Sequence, residues 1–187
     1  MNTVTSRLFR TGILMLNLLS SLALADPAED TALGEAAFNR EDLTVAMEHF
    51  TKAAKQNHAP AQVRLGEILD ASEFNKEAAD WYRKAAEQGN AAGEYHLGHM
   101  YAAGEGVERS DEKALYWLKR AAEKNDLLAL KTLADAYKKG ELGLAVDLDQ
   151  AKSFEDRVII LEAKARKAAK RAAALKAAEK AKQGAEK

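Results

Sequence analysis

One local pattern returns along this chain at intervals that a stacked architecture uses. Phe50-Thr51-Lys52-Ala53-Ala54-Lys55-Gln56 recurs as Tyr82-Arg83-Lys84-Ala85-Ala86-Glu87-Gln88 and again as Leu118-Lys119-Arg120-Ala121-Ala122-Glu123-Lys124, at offsets of 32 and 36 residues. A second marker precedes each copy: Leu33-Gly34, Leu65-Gly66, Leu97-Gly98, then Leu133-Ala134. A period in the thirties marks one supersecondary unit that cannot bury its apolar face alone and gains a core by stacking on its neighbours. Each unit reads as two helices. In the third, the first helix runs from about Ala91 to Ala103, Gly104-Glu105-Gly106 breaks it, and Ser110 is the expected N-cap of a second helix ending near Lys124. Ala114, Trp117, Leu118, Ala121 and Ala122 fall at helical spacing, so one face of that helix can bury. Gly89 is the expected C′ residue of the preceding unit. The small residues at Gly66 and Gly98 let partner helices approach closely. Trp81 and Trp117 read as core pegs between neighbouring helices, not as ligand stackers.

Composition supports an all-α chain and excludes several chemistries. Of 187 residues, 39 are Ala, 11 Gly and 2 Pro, with charged residues at 30% and aromatics at 6%. A β-sandwich or barrel needs more β-branched residues and turns. With no Cys, a disulfide framework, a thiolate zinc site, a Cys nucleophile and a lipid-modified N-terminal Cys are all ruled out.

The first 25 residues have the layout of a secretory leader. Arg7 and Arg10 form a basic start, Gly12 to Ala23 is almost wholly apolar, and Ala23-Leu24-Ala25 ends the run before Asp26-Pro27. The alternative is an uncleaved anchor, but about a dozen apolar residues fall short of the ~20 that a spanning helix needs. Cleavage after Ala25 and a periplasmic or secreted location are therefore expected. The mature chain would carry 26 basic and 29 acidic residues, net −3. Residues 26–161, the expected repeat domain, hold 17 basic and 26 acidic residues, whereas residues 162–187 hold 9 basic and 3 acidic. An acidic body thus precedes a basic Ala/Lys-rich tail.

Leu97-Gly98-x-x-Tyr101-x-x-Gly104-x-Gly106-Val107, followed by Lys113-Ala114-x-x-Trp117 and Ala121-Ala122, resembles a Sel1-like repeat, a relative of the tetratricopeptide repeat. Ser110 stands where that pattern usually has Asp. The second unit keeps Leu65-Gly66, Lys76, Trp81-Tyr82 and Ala85-Ala86 with a shortened loop. The first keeps Leu33-Gly34, Ala46, Phe50 and Ala53-Ala54. The fourth keeps Leu133, Tyr137, Gly140, Val146, Asp149 and Lys152 with a loop about three residues longer. The resemblance covers Ala28 to about Leu161. It implies an α-solenoid of about four antiparallel helix-pair repeats, curved so that first helices line the concave face, and a role in binding other proteins. A long C-terminal helix follows.

By analogy with tetratricopeptide arrays, the residues after the Leu-Gly markers face the groove: Glu35, Glu67, His99 and Asp135. Thr31, Val63, Tyr95 and Lys131 lie two before each Leu, and Phe38, Asp70, Ala102 and Lys138 one turn beyond the first set. An acidic column beside Phe38, Val63 and Tyr95 would suit a basic or amphipathic peptide, unless these are ordinary solvated helix positions. From Leu148, apolar residues recur mostly at 3 and 4, through Ala151, Phe154, Val158 and Leu161 to Leu175, which reads as one helix reaching about Lys182. Val158 to Leu161 is the expected cap on the last repeat. Beyond it, Lys164, Arg166, Lys167, Lys170 and Arg171 give a basic surface. That tail reads as a fraying solvated helix, as a binder of an anionic envelope component, or as a partner helix through its Ala seam. Nucleic acid is an unlikely target for an exported chain whose tail has no aromatic stacking platform.

Catalytic signatures are absent. His96 and His99 share a helix face at i, i+3, but two His without further ligands make no metal site, and H-E-x-x-H does not occur. Gly104-x-Gly106 follows a helix, not a strand, and lacks the P-loop lysine. No G-x-S-x-G and no singled-out carboxylate pair is present. No catalytic residue and no cofactor is expected. The functional expectation is a non-catalytic periplasmic scaffold or adaptor. The alternatives are a regulator of an envelope enzyme or secretion assembly, a binder of anionic envelope components, and an enzyme without a visible motif.

Overall fold

The computed structural model describes residues 26–185, with side chains described to residue 180; the leader lies outside that range. Among the described residues there are eight helices and no strand: α1 Pro27–Phe38, α2 Leu43–Lys55, α3 Ala59–Ala71, α4 Asn75–Glu87, α5 Ala91–Ala103, α6 Asp111–Glu123, α7 Leu127–Lys139 and α8 Leu148–Ala185. They pack as four successive pairs, α1 with α2 through α7 with α8, each pair stacking on the next. The chain is an α-solenoid, and the second helix of the fourth pair is itself the long C-terminal helix.

The helix ends are written locally. Asp42, Asn90, Ser110 and Asp126 cap α2, α5, α6 and α7 by accepting from the backbone N–H groups of Val45, Gly93, Lys113 and Ala129. The turns between units repeat as well. Asn57, Gly89 and Asn125 occupy equivalent positions, and all adopt positive φ, at 64°, 80° and 61°. Gly89 meets the expectation for a left-handed C′ residue.

The two sequence markers turn out to be one contact. A Cβ on Gly34 would lie 2.6 Å from the Phe50 ring, one on Gly66 2.6 Å from the Tyr82 ring, and one on Gly98 2.9 Å from Leu118 Cγ. The marker glycine of each first helix is thus the hole that receives the large residue opening the second motif. Phe50, Tyr82 and Leu118 are all essentially buried. In the fourth pair Ala134 replaces the glycine, and the equivalent Phe154 is only half-buried, stacked on Tyr137 with centroids 5.9 Å apart. Trp81 and Trp117 are half-buried pegs, each packed on the core of the preceding unit. Lys84 and Arg120 cover their outer faces, at 3.8 and 5.1 Å from the ring centroids.

First helices touch one another along the array, α1 with α3 and α3 with α5, while second helices meet at most marginally. The first-helix layer is therefore the closer-spaced one, and the array curves toward it. The expected cap at Val158 to Leu161 needs correction. Val158 is buried and Leu161 half-buried, but Ile159 and Ile160 are 63% and 65% exposed, because a lone terminal helix buries only one stripe of such a run.

Gly106 stitches the long loop of the third unit onto the second. A Cβ there would lie 2.1 Å from the Asn75 carbonyl oxygen, and φ is +66°. Gly106→Ala should lower the unfolding free energy by about 1–3 kcal/mol, read by urea denaturation; an unchanged midpoint would contradict this packing.

Candidate protein-binding face

The first-helix layer is where the predicted groove residues lie, and the structure sorts them. Glu35 and Glu67, on α1 and α3, are brought together by a residue the pattern did not single out. Arg64 holds Glu35 at 2.7 Å through Nε and also pairs with Glu67. Its guanidinium lies 4.6 Å from the centroid of the half-buried Phe38 ring. On the other side His96 Nε2 stands 3.4 Å from Glu67. Glu35, Arg64, Glu67 and His96 thus form a charge ladder across α1, α3 and α5. The expected acidic column is in its first half bridged by Arg64 and His96 and is not free. Burial opposes ionisation of Glu67, but His96 and Arg64 outweigh it and hold the carboxyl below its usual value of 4.5.

Val63 does not belong to the groove. It is 5% exposed and packs in the second core, facing Ala78, Ala79 and Tyr82 rather than solvent. Thr31 is likewise buried, donating to the Pro27 carbonyl and lying 2.8 Å from His58 Nδ1. Tyr95 is half-buried between the third core and its neighbours, with His96 edge-on at 5.1 Å and His99 at 6.2 Å. His99 is exposed and lines a cavity of about 590 Å³ with Arg109, Asp111 and the Gly140–Gly143 turn. Asp135 and Lys131 are exposed on α7 and line a cleft of about 400 Å³ with Glu155 and Ile159. Lys131 pairs with Glu162 at 2.9 Å and Lys138 with Glu155, so α8 is fastened to α7 by charges at both ends of the contact.

The predicted basic tail continues α8 without a break. Lys164, Arg166, Lys167, Lys170 and Arg171 are all exposed, as is every position from Ala163 to Lys180. Arg166 lies 3.9 Å from Glu162. The 38 residues of α8 span about 57 Å at 1.5 Å per residue, and the outer part leaves the array beyond the N-terminus of α7. Among the described residues, no helix is long and apolar enough to cross a membrane, and no group of three His, Asp or Glu side chains is arranged to hold a metal ion. His96 instead stacks on Tyr82, with centroids 4.6 Å apart and planes 8° apart.

Sequence reasoning missed a buried polar column. Asp30, Gln62 and Glu94 occupy equivalent positions in the first three units and are 1%, 1% and 0% exposed. Each clamps its hairpin: Asp30 to Lys52 and His49, Gln62 to Gln88, Glu94 to Arg120 and Lys124. In the fourth unit the position is Leu130, which is fully buried. Aligning this column across the repeats would have revealed it. Burial opposes ionisation of Asp30, but Lys52 and His49 outweigh it and the carboxyl lies below its ordinary 3.8. Carboxylates held low favour the folded state above their unfolded values, and that contribution disappears as pH falls through the folded values. Stability should therefore fall as pH drops below the ordinary carboxylate values of 4.5 and 3.8. The penalty of Asp30→Asn should shrink over the same interval in denaturation curves; a penalty independent of pH would contradict the pairing.

The Sel1 repeat family profile matches residues 39–58, 75–90 and 91–126. The third unit is covered in full, and the first two mainly through their second helices. A Sel1 repeat protein from Oxalobacter formigenes superposes with a TM-score of 0.67 at 28% identity, over 73% of this chain and 59% of that one. A protective antigen present in uropathogenic Escherichia coli strains, displaying an SLR fold, superposes with a TM-score of 0.66 at 29% identity, over 73% of this chain and 31% of that one. The chain thus spans less than two thirds of either protein. No curated protein matches it. The glycine-into-ring contact that generates the repeat, the helix-pair stacking and these likenesses converge on an α-solenoid that carries Sel1-type repeats over the matched residues.

Proposed function

We propose that this protein is an exported, non-catalytic adaptor that works in the bacterial periplasm and holds a protein partner against its first-helix layer. The observation that carries the reading is the face itself. Three parallel first helices present Glu35, Phe38, Glu67, Tyr95 and His99 along one curved surface. A solenoid surface of this kind is wide and rigid and suits extended recognition more than turnover. Export rests on the leader pattern of residues 1–25. The test is an in-cell cross-link and pull-down from the periplasmic fraction, comparing the full chain with Glu35→Lys and Asp135→Lys variants. Loss of partner with the charge reversals supports the reading. Unchanged capture, or a chain confined to the cytoplasm with its leader intact, contradicts it.

A second reading is favoured by the exposed helix beyond Ala163. Its five basic residues from Lys164 to Arg171 have no acidic neighbour closer than Glu162. This surface would attract an anionic envelope component by charge. Binding of the full chain to vesicles containing an anionic lipid should weaken steeply with salt. Salt-independent binding would remove this reading.

A further inference from the structure

The cleft where the second and third units meet has a chemistry that the fold does not use. It is an open depression of about 780 Å³, lined by Glu67 and Asp70 of α3, Tyr82 of α4, His96 of α5, and the loop residues Glu73 and Glu105. Arg64 pairs with Glu67, and His96 Nε2 stands 3.4 Å from it. Among the described residues no lysine or arginine pairs with Asp70, Glu73 or Glu105. Three uncompensated carboxylates therefore share one cavity. Self-repulsion of this kind is relieved by a cation.

Acidic residues alone would not define a site, but Tyr82 adds an independent feature. It is 1% exposed, lines the cleft, and its buried hydroxyl has no hydrogen-bond partner. Buried hydroxyls are ordinarily satisfied. The ring cannot turn away: Gly66 presses on one side, where a Cβ would lie 2.6 Å off, and the His96 ring stacks at 4.6 Å on the other. Burial, with the charges of Asp70 and Glu67 adding to it, disfavours the phenolate and holds the group protonated far above its ordinary value. The cleft thus offers a fixed neutral hydroxyl among carboxylates. A guanidinium or ammonium group uses both, through charge-assisted hydrogen bonds.

We propose that this cleft is a receptor for a basic side chain, arginine or lysine, presented by a protein. The proposal rests on the reading of the first-helix layer as a protein-binding face and names the chemistry of one contact within it. Two sources carry that chemistry: a partner protein, and the basic tail of a second copy. The described part of the tail leads away from the cleft of its own molecule. The cleft lies along the edge of the array where first helices finish, beside Asp70, and α8 leaves along the opposite edge, past Lys131 and the start of α7.

The test is a nuclear magnetic resonance titration of the full mature chain with N-acetyl-arginine amide, N-acetyl-lysine amide and N-acetyl-citrulline amide. The cationic probes should give saturable shifts confined to Asp70–Asn75, Tyr82 and His96, with citrulline at least tenfold weaker. Asp70→Asn with Glu73→Gln should weaken arginine binding at least fivefold. Tyr82→Phe should weaken it with no loss of thermal stability, because the hydroxyl makes no bond in the free protein. Absent shifts, equal shifts with citrulline, or affinity indifferent to the carboxylate variant would overturn the proposal. Sedimentation of the full chain separates the sources. A mass that rises with concentration, and falls both on truncation at Ala163 and with the carboxylate variant, assigns the ligand to the second copy's tail. A monomer that gives the titration assigns it to a partner. A partner captured in cells by a chain that fails the titration would sink this inference and leave the proposed function standing.

Discussion

Phe50→Ala should lower the unfolding free energy by about 3–5 kcal/mol. The ring is fully buried and occupies the hole made by Gly34, where a Cβ would lie only 2.6 Å from it. Glycine has no side chain to move into the space, so the cavity cannot collapse from that side. The cost then lies at the upper end of large-to-small substitutions, where transfer and cavity terms add. Because a solenoid is stabilised by each unit and its interfaces with neighbours, the loss should appear first at the end of the array. Amide exchange should show α1 and α2 opening well before α5 and α6. Leu118→Ala, in the same position two units on, should cost about 2–5 kcal/mol and open the array on both sides. A Phe50→Ala effect below about 1 kcal/mol, or exchange that rises uniformly, would contradict the glycine-and-ring account.

The second large effect concerns Glu94. Its carboxylate is fully buried and held by Arg120 at 2.9 Å and by Lys124 at 2.6 Å. Removing both cations together should cost about 3–5 kcal/mol, because it strands a buried charge. Part of that is lost packing, since Arg120 also covers Trp117. Glu94→Leu in that background should restore most of the stability, as a buried ion pair replaced by apolar packing is often neutral. The fourth unit already carries this solution, with the fully buried Leu130 at the equivalent position. Glu94→Leu alone leaves Arg120 and Lys124 free to hydrate, because both are more than a third exposed. It should therefore change stability by less than about 1.5 kcal/mol. Chemical denaturation of the four variants measures the cycle. A single Glu94→Leu as damaging as the double cation deletion would show that the carboxylate does more than compensate charge.

Much of the architecture was legible because the repeats carry it in short-range pattern. The Leu-Gly markers, the Ala-Ala motifs, Ser110 and Gly89 each report local geometry, and each appears where expected. The candidate face was less legible, because exposure depends on neighbours that the analogy did not supply. Val63 occupies the same register as Tyr95, but it faces the α4 alanines and is buried. The acidic column looked free because Arg64 lies off the marker register, yet its side chain spans from Glu35 to Glu67. Ile159 and Ile160 read as part of a capping run, but among the described residues no further unit covers them. The buried column of Asp30, Gln62 and Glu94 was passed over because polar residues on a charged helix look solvated until their partners on the second helix are known.

The central claim is that partners sit on the first-helix layer. The most direct measurement is site-specific photo-cross-linking in cells. A photoreactive residue would be placed at His99 on that layer, and in a parallel strain at Tyr116, which is 54% exposed on the second-helix layer. The account predicts one discrete protein adduct from position 99, weakened by Glu35→Lys, and none from position 116. Adducts from position 116 alone, or equal adducts from both, would contradict it.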